Sequence, residues 1–206
     1  KTLTLEEAMN APSVVPPLTL YDCCPITDGA AVCIITTDEI AKKFSDRPLV
    51  YIRGTAQVCL NSVSANFPGA HLADWKHTKM AGEKAYKAAK VSPGDIKVAQ
   101  THDCFSISEV IEVEEFGFCK KGEGGEFCGS KQIELGGKVP VNTDGGLLAC
   151  GHPFGATGIR QGIEMLKQLQ GRARHQVKGA DIGLTHNLSG ANAEHTVLIY
   201  GREPVK

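Results

Sequence analysis

Three histidines stand where an imidazole could take part in acid–base chemistry: His102, His152 and His186. Each is expected to begin a loop that follows a β-strand. Ligands in open α/β sheets bind beyond the carboxyl ends of the strands, so the three loops are predicted to converge on one site. For any one of these histidines a structural role is the commoner outcome, and it is their shared placement that favours chemistry.

His152 lies in a stretch rich in glycine and alanine that suits neither a plain helix nor a plain strand. A glycine pair ending at Gly146 is expected to bend the chain before a short buried strand-like run, residues 147–149, and Gly151 to bend it again. Pro153 then suits the first position of a helix, where its missing N–H is harmless. The positive end of the helix dipole favours the neutral imidazole that a general base requires. The alternative is a connector whose histidine only caps the helix.

Cys104 follows His102 by two residues, so a thiol and an imidazole could share one pocket. The alternative is a buried packing residue, one of eight cysteines. Cys119 and Cys128 are interpreted as packing or loop thiols. No C-x-x-C pair occurs, which favours reduced thiols over a disulfide framework or a metal site.

Composition indicates an ordinary globular protein of 206 residues with 22% charged residues and a net charge of −1. That balance argues against a nucleic-acid surface, and no apolar run approaches the roughly 18 residues of a membrane span. The reduced cysteines favour an intracellular location: the cytoplasm, or the mitochondrial or peroxisomal matrix in a eukaryote. Because the sequence opens without Met or a signal-like segment, a fragment or a processed piece is expected.

Alternating elements predict an α/β domain with helices layered on a sheet. Expected strands are residues 18–24, 30–36, 48–58, 96–101, 180–185 and 194–200; expected helices are residues 39–44, 78–90 and 154–170, with a further helix starting at Ser106. That further helix is predicted to turn its acids, Glu112 among them, towards solvent. Residues 116–126 are expected to form a glycine-rich loop, and 186–192 the loop between the last two strands.

The stretch Gly151-His-Pro-Phe-Gly-Ala-Thr-Gly158, after an Asn-x-x-Gly-Gly that begins at Asn142, resembles the thiolase signature. His102-Asp-Cys-Phe105 and His186-Asn187 resemble the thiolases of the sterol-carrier-protein type (SCP2-type). Asp28-Gly-Ala-Ala31 is similar to the strand that closes the family's N-terminal half. The resemblance covers about residues 16 to 203.

The resemblance implies a thiolase-like fold: two similar βαβαβαββ halves, layered αβα, with buried helices between them. It implies that residues 1–46 finish the N-terminal half and that residues 47–206 form the C-terminal thiolase domain. Members of the family are usually dimeric, so a homodimer or higher oligomer is expected.

The resemblance also implies roles for individual residues. His152 resembles the base that activates the nucleophilic cysteine, His102 the oxyanion-hole donor, and Cys104 the acid/base that moves a proton at the substrate Cα. His186 occupies the loop that lines a second oxyanion hole. The residues implied to contact substrate or coenzyme A are Phe105, Asn187, Gly190 and Gly151.

The implied function is an acyltransferase of lipid metabolism, such as fatty acid or sterol degradation. It would make or break a carbon–carbon bond in 3-ketoacyl-CoA thioesters by Claisen condensation or thiolysis. Coenzyme A thioesters are then substrates, with no permanently bound cofactor and no metal. The nucleophilic cysteine of the family lies in the N-terminal half, so that half is the expected partner, a small accessory subunit is a second, and this chain alone is expected to be inactive.

Two alternatives remain open. The run from Ser189 to Glu194 is polar where the family carries a glycine-rich run, and this could alter the second oxyanion hole. The chain could therefore belong to a thiolase-fold aldolase or a complex subunit without thiolysis. It could also be a non-catalytic module that binds acyl-CoA or lipid.

Overall fold

The computed structural model describes residues 3–59, 75–190 and 192–205. Residues 60–74 lie outside the described residues. The helices are α1 (Leu5–Met9), α2 (Asp38–Phe44), α3 (Lys76–Ala89), α4 (Ser106–Glu115), α5 (Gly124–Gly129), α6 (Gly146–Cys150) and α7 (Phe154–Leu169). The strands are β1 (Ser13–Val15), β2 (Leu18–Thr19), β3 (Tyr51–Cys59), β4 (Val98–Gln100), β5 (Ile182–Ser189) and β6 (Glu194–Gly201).

One four-stranded sheet organises the chain, with its strands in the order β3-β6-β5-β4. β6 pairs antiparallel with both β3 and β5, whereas β4 and β5 run parallel. Val141 adds an isolated parallel bridge to Ala99 at the outer side of β4. Counting that bridge as a strand and leaving out the short helices α5 and α6, the order of elements from β3 onward is βαβαβαββ, which agrees with the predicted α/β class and thiolase-like fold.

The two faces of the sheet are covered by different helices. On one face α3 packs against β3 and β6 through alanines spaced four residues apart, Ala81, Ala85 and Ala89, all fully buried. These small side chains bring α3 so close that a Cβ on Gly54 would lie 2.6 Å from the Ala85 carbonyl oxygen. On the other face α7 packs against β4 and β5. The sheet is therefore the middle of three layers.

Residues 3–46 contribute short elements. The pair β1 and β2 is antiparallel, and Thr4 with Glu7 forms a capping box at α1. The predicted strand at residues 30–36 is wrong: the structure has no strand there, and Ile34 is 90% exposed. A doubly apolar strand needs a neighbouring strand, and the described part of the chain pairs none with it. The proposed boundary between residues 46 and 47 stays a prediction.

Two expectations near the candidate site are also wrong, and a third is wrong in part. The run at residues 147–149 lies in helix α6 and not in a strand. His186 does not begin a loop, because β5 stays paired with β6 as far as Ser189 opposite Glu194. The predicted glycine-rich loop at residues 116–126 is shortened by α5, which begins at Gly124.

Candidate active site

His102 and His152 lie side by side although they are far apart in sequence. Their ring centroids are 4.8 Å apart in an edge-to-face arrangement, with an angle of 87° between the rings. His102 follows the end of β4, and His152 precedes the start of α7. The carboxyl end of a parallel strand and the N-terminus of a helix thus bring two of the three predicted histidines together.

The surroundings of His152 identify which ring nitrogen is free. Its Nδ1 lies 2.8 Å from Thr157 Oγ1, and that hydroxyl donates its own proton to the Pro153 carbonyl oxygen at 3.2 Å. Thr157 must then accept from Nδ1–H, which leaves Nε2 as the atom with a free lone pair. Burial, together with the charge of Arg160, lowers the pKa of His152, so the ring is neutral at pH 7. The direction agrees with the sequence-based expectation, and its causes are burial and then the charge of Arg160.

His102 is held through its backbone. Its N–H donates to Glu112 Oε2 on α4 at 2.9 Å. Burial lowers the pKa of the His102 ring to about 3, with smaller contributions from His186 and His152. The ring is therefore neutral, and its Nδ1 is buried without a hydrogen-bond partner among the described residues. An orphaned nitrogen of this kind has hydrogen-bonding capacity to offer a ligand.

Asp103 stabilises the helix and turn that precede His152. Its Oδ1 accepts the Leu147 N–H at 2.8 Å and its Oδ2 accepts the Leu148 N–H at 3.3 Å, so it caps the N-terminus of α6. A Cβ on Gly146 would lie 2.1 Å from Asp103 Oδ2, and Gly146 has a φ of 61°. Burial raises the pKa of Asp103 to about 6. Glycine at position 146 is thus required by the carboxylate beside it.

Cys104 is a half-buried thiol two residues after His102 in sequence. Its Sγ lies 3.8 Å from Ser108 Oγ, and its carbonyl oxygen accepts the Cys24 N–H at 3.0 Å. Burial raises the pKa of Cys104 to about 11, only partly offset by Ser108. The thiol is therefore protonated at neutral pH.

The N-terminal segment packs against these loops. Ser106 Oγ donates to Asp22 Oδ1 at 2.7 Å, next to the Cys24 contact. Further along, a Cβ on Gly151 would lie 2.6 Å from Thr27 Cγ2, and Gly151 has a φ of 88°. In this structure the glycine at position 151, predicted to contact substrate, meets the Thr27 side chain.

The side chain of His186 points away from the histidine pair. It lies on the α3 and α4 face of the sheet, where its Nε2 is 3.1 Å from His195 Nδ1 and the two rings stack. Its Nδ1 is 3.1 Å from Glu112 Oε2, without the alignment of a hydrogen bond. Burial lowers the pKa of His186 to about 3 and raises that of Glu112 to about 8, so both are neutral at pH 7. The predicted convergence of three histidine loops is reduced to two, because His186 lies inside a strand.

The other residues predicted to contact substrate or coenzyme A lie after the end of β4 and along the hairpin formed by β5 and β6. Phe105 is 42% exposed and pairs with Cys23 in an isolated bridge. Asn187 faces α7 and donates from Nδ2 to Gln161 Oε1 at 3.3 Å. Gly190 lies in the exposed turn between β5 and β6 with a φ of 61°.

Several buried polar residues escaped the sequence analysis. Glu112 was expected to face solvent, yet it is completely buried. A polar stripe on α7 was overlooked although its helical spacing is visible in the sequence; it consists of Thr157, Gln161, Glu164 and Gln168, all buried. Polar residues that recur at i, i+4, i+7 and i+11 within an otherwise apolar helix could have indicated a buried polar seam.

Among the residues that the structure describes, no group of three or more histidine, cysteine or acidic side chains could hold a metal ion. None of the described helices is long and apolar enough to cross a membrane.

The profile of the thiolase C-terminal domain-like family matches residues 68–202. The chain belongs to this family. The thiolase-like chain is 42% identical over 201 residues to an acetyl-CoA acetyltransferase of Methanothermobacter thermautotrophicus, covering 97% of this chain and 52% of the acetyltransferase. It is 34% identical over 204 residues to sterol carrier protein 2 of Bos taurus, covering 97% of this chain and 37% of that protein.

A solved structure described as the Ltp2-ChsH2(DUF35) aldolase superposes with a TM-score of 0.84 at 25% identity. The match covers 97% of the thiolase-like chain and 51% of the aldolase chain. The thiolase-like chain thus spans about half the length of the acetyltransferase and of the aldolase chain.

Proposed function

We propose that the complete protein makes or breaks a carbon–carbon bond in a 3-ketoacyl-CoA thioester, with this chain supplying the acid–base and oxyanion-stabilising groups. The observation that carries the proposal is the edge-to-face pair of neutral histidines, His102 and His152. One ring has a free basic nitrogen and the other an unpartnered nitrogen. The acetyl-CoA acetyltransferase relative supports the acyl-transfer reading.

His152 is the general base in this proposal. Its Nε2 takes the proton from a cysteine thiol supplied by the remainder of the protein, while Thr157 holds Nδ1–H. The thiolate attacks the keto carbon of the substrate, and the bond between that carbon and Cα breaks. The acyl group stays on sulfur and the other fragment leaves as an enolate of acetyl-CoA.

His102 and Cys104 act on that enolate. A neutral His102 donates one N–H to the thioester oxygen on which negative charge develops, without the solvent reorganisation that a mobile donor would need. Cys104 keeps its proton at neutral pH and can deliver it to the enolate carbon. In the condensation direction the thiolate form of Cys104 removes a proton from Cα of acetyl-CoA, and the raised pKa makes that thiolate a stronger base.

An aldolase without thiolysis is the second candidate. The aldolase named above shares the fold across nearly the whole of this chain. In a retro-aldol cleavage a base removes a hydroxyl proton and the enolate of the CoA thioester leaves, so the same histidine pair would serve but no cysteine nucleophile is required. The run from Ser189 to Glu194, which is polar where the family carries a glycine-rich run, supports a site different from that of a thiolase.

The remaining part of the protein is the proposed partner, since relatives extend well beyond this chain. It would contribute the nucleophile, and a homodimer and a small accessory subunit are further proposed partners. Coenzyme A thioesters are the proposed substrates, with no permanently bound cofactor, and an intracellular location fits those substrates.

The decisive experiment assays the full-length protein with acetoacetyl-CoA plus coenzyme A for thiolysis, and with a 3-hydroxyacyl-CoA bearing a tertiary alcohol for aldol cleavage. Thiolysis supports the first proposal. Cleavage of the alcohol without thiolysis supports the second. Neither reaction, together with tight coenzyme A binding, would refute both and favour a binding module.

A substitution in this chain, compared with a control substitution, tests whether the activity depends on His152. His152→Ala should lower kcat by roughly 10²- to 10⁴-fold, the loss expected for a general base, with little change in melting temperature. The control is His175→Ala, since His175 lies in the loop after α7 and is outside the histidine pair. A His152→Ala protein with normal turnover would remove the base from the proposal.

A further inference from the structure

Gln161 lies on α7, one turn beyond Thr157, and its side chain is almost fully buried. Its amide Nε2 donates to two main-chain carbonyl oxygens, that of Thr101 at 2.9 Å and that of His186 at 3.0 Å. Its Oε1 accepts from Asn187 Nδ2 at 3.3 Å. All the hydrogen-bonding groups of this side chain are therefore directed at the ends of β4 and β5.

The two carbonyl groups lie where the parallel strands part. The last paired residues of β4 and β5 are Gln100 and Thr185, so the next carbonyls along each strand lie just past the ladder. Buried carbonyl groups require partners, and both N–H groups of the Gln161 amide supply them. One side chain thus bridges the opening at the carboxyl end of the parallel pair.

The peptide group between Thr101 and His102 is held from both faces of the sheet. Gln161 on α7 binds its C=O, and Glu112 on α4 binds its N–H at 2.9 Å. The His102 ring is attached to the Cα that directly follows this peptide group. The helix that holds Gln161 also holds Thr157, the partner of His152. Gln161 consequently connects the elements that carry the two rings.

We propose that Gln161 is a positioning residue for the reaction proposed above. By fixing the ends of β4 and β5 to α7, it keeps the His102 ring in edge contact with His152 and holds Asn187 at the same edge. It touches no reacting atom. The inference rests on the proposed function for its kinetic consequence, whereas its structural consequence is independent of which reaction the protein catalyses.

The kinetic test compares two glutamines of the same helix in the full-length protein. Gln161→Met removes both N–H donors at similar side-chain length. Gln168→Met is the control, because Gln168 is equally buried and donates to Thr143 Oγ1 and to the His175 carbonyl oxygen, away from the histidine pair. Both variants should lower the melting temperature. Only Gln161→Met should lower kcat, by about 10- to 100-fold, with KM changed by less than about threefold.

A second measurement does not depend on activity. With selectively labelled histidine, the nuclear Overhauser effect between the ring protons of His102 and His152 should be present in the wild type and in Gln168→Met. It should be weakened or lost in Gln161→Met. If that variant fails to fold, Gln161→Glu takes its place, since a protonated carboxyl has one O–H and can donate to only one of the two carbonyls.

The outcomes separate the two proposals. An inactive wild type would refute the proposed reaction, and the ring contact would still test the role of Gln161. Normal kcat and a normal ring contact in the Gln161 variants would overturn the inference. Equal loss of kcat in Gln161→Met and Gln168→Met would also overturn it, because the effect would then reflect general destabilisation.

Discussion

At the scale of single residues, two thiols are candidates for the proton transfer proposed at the substrate carbon. Cys104 is half-buried with its pKa raised by burial to about 11, whereas Cys150 is exposed and donates from Sγ to the Asp144 carbonyl oxygen at 3.1 Å. Cys150 therefore has a main-chain partner for its proton, and Cys104 has only the hydroxyl of Ser108 at 3.8 Å. This difference favours Cys104 as the acid/base.

Isotope exchange distinguishes these two thiols. Cys104→Ala in the full-length protein should still become acylated at its nucleophile, but it should fail to exchange the α-protons of acetyl-CoA with deuterium from solvent. Cys150→Ala should exchange at the wild-type rate, measured by mass spectrometry of recovered acetyl-CoA. The opposite pattern would transfer the role to Cys150 and leave Cys104 as a packing residue.

Glu112 makes stability depend on pH. Its pKa is raised by burial to about 8, against a usual 4.5, so the folded protein holds a proton that the unfolded chain releases. The stabilisation from this group is fully present below about pH 4.5 and is lost as pH rises through about 8. Glu112→Gln mimics the protonated acid and lacks this loss. We expect the difference in melting temperature between Glu112→Gln and the wild type to increase in favour of the variant from pH 5 to 8. Above about pH 8 this difference should stay constant.

Asp103 and Glu109 also have raised pKa values, about 6 and about 7, but both are present in the two proteins compared. Glu112 contributes to the raised pKa of both groups, so the difference between the two melting curves reports Glu112 together with this smaller coupling. A constant difference in melting temperature across this pH range would contradict the assignment.

At the scale of elements, α6 depends on a contact with the end of β4. Its N-terminus is capped by Asp103, 44 residues away from Leu147 in sequence, and Gly146 leaves the space for that carboxylate. Because α6 leads directly into the turn of His152, the cap also sets the position of that ring. The element and the site are therefore stabilised by the same hydrogen bonds.

Substitutions at two glycines with positive φ distinguish the cost of a steric clash from the cost of backbone strain. Gly179→Ala adds a Cβ that meets nothing within 4 Å at a φ of 73°, so it should cost only the roughly 1–2 kcal/mol of a left-handed conformation. Gly146→Ala adds the same strain and also displaces Asp103, so it should cost about 1–3 kcal/mol more. Urea denaturation measures both values. Equal losses in the two variants would mean that α6 tolerates the loss of its cap.

At the scale of the whole molecule, the outer side of α7 is open. A cavity of about 900 Å³ lies between residues 33–52 on one side and α7 with β6 on the other. Apolar side chains remain exposed along it, including Ile34 at 90% and Phe154 at 77%. An added Cβ on the three glycines of α7 would meet nothing within 4 Å at Gly155, and only the side chains of Asn187 and Tyr200 at Gly158 and Gly162. No backbone of another described element therefore lies against this face of α7.

The isolated chain should therefore self-associate, and co-expression with the rest of the protein should suppress the association. Ile159→Asp on α7 should reduce the association of the isolated chain, measured by sedimentation velocity. Met80→Asp is the control, because Met80 is similarly exposed, at 41% against 38% for Ile159, but lies on α3 at the opposite face. A monodisperse, cooperatively melting isolated chain would contradict the prediction.

Local signals were enough to predict most elements. The glycine and proline pattern around His152 predicted the start of α7 at residue 154, and the strands at residues 48–58 and 194–200 differ from β3 and β6 by a few residues at their ends. The histidine after β4 and the histidine before α7 were also identified from the sequence. These features depend on turns, helix starts and alternation, which neighbouring residues determine.

What the sequence by itself determined is thus the α/β class, the motifs around His102 and His152, and the order of the main elements. Only the tertiary structure decided that residues 147–149 form a helix, since the cap is the distant Asp103. It alone decided that His186 stays within β5, since β6 extends the ladder, and that Glu112 is buried between His186 and the His102 N–H. Each of these outcomes depends on a partner remote in sequence, and periodicity within a segment carries no information about such a partner.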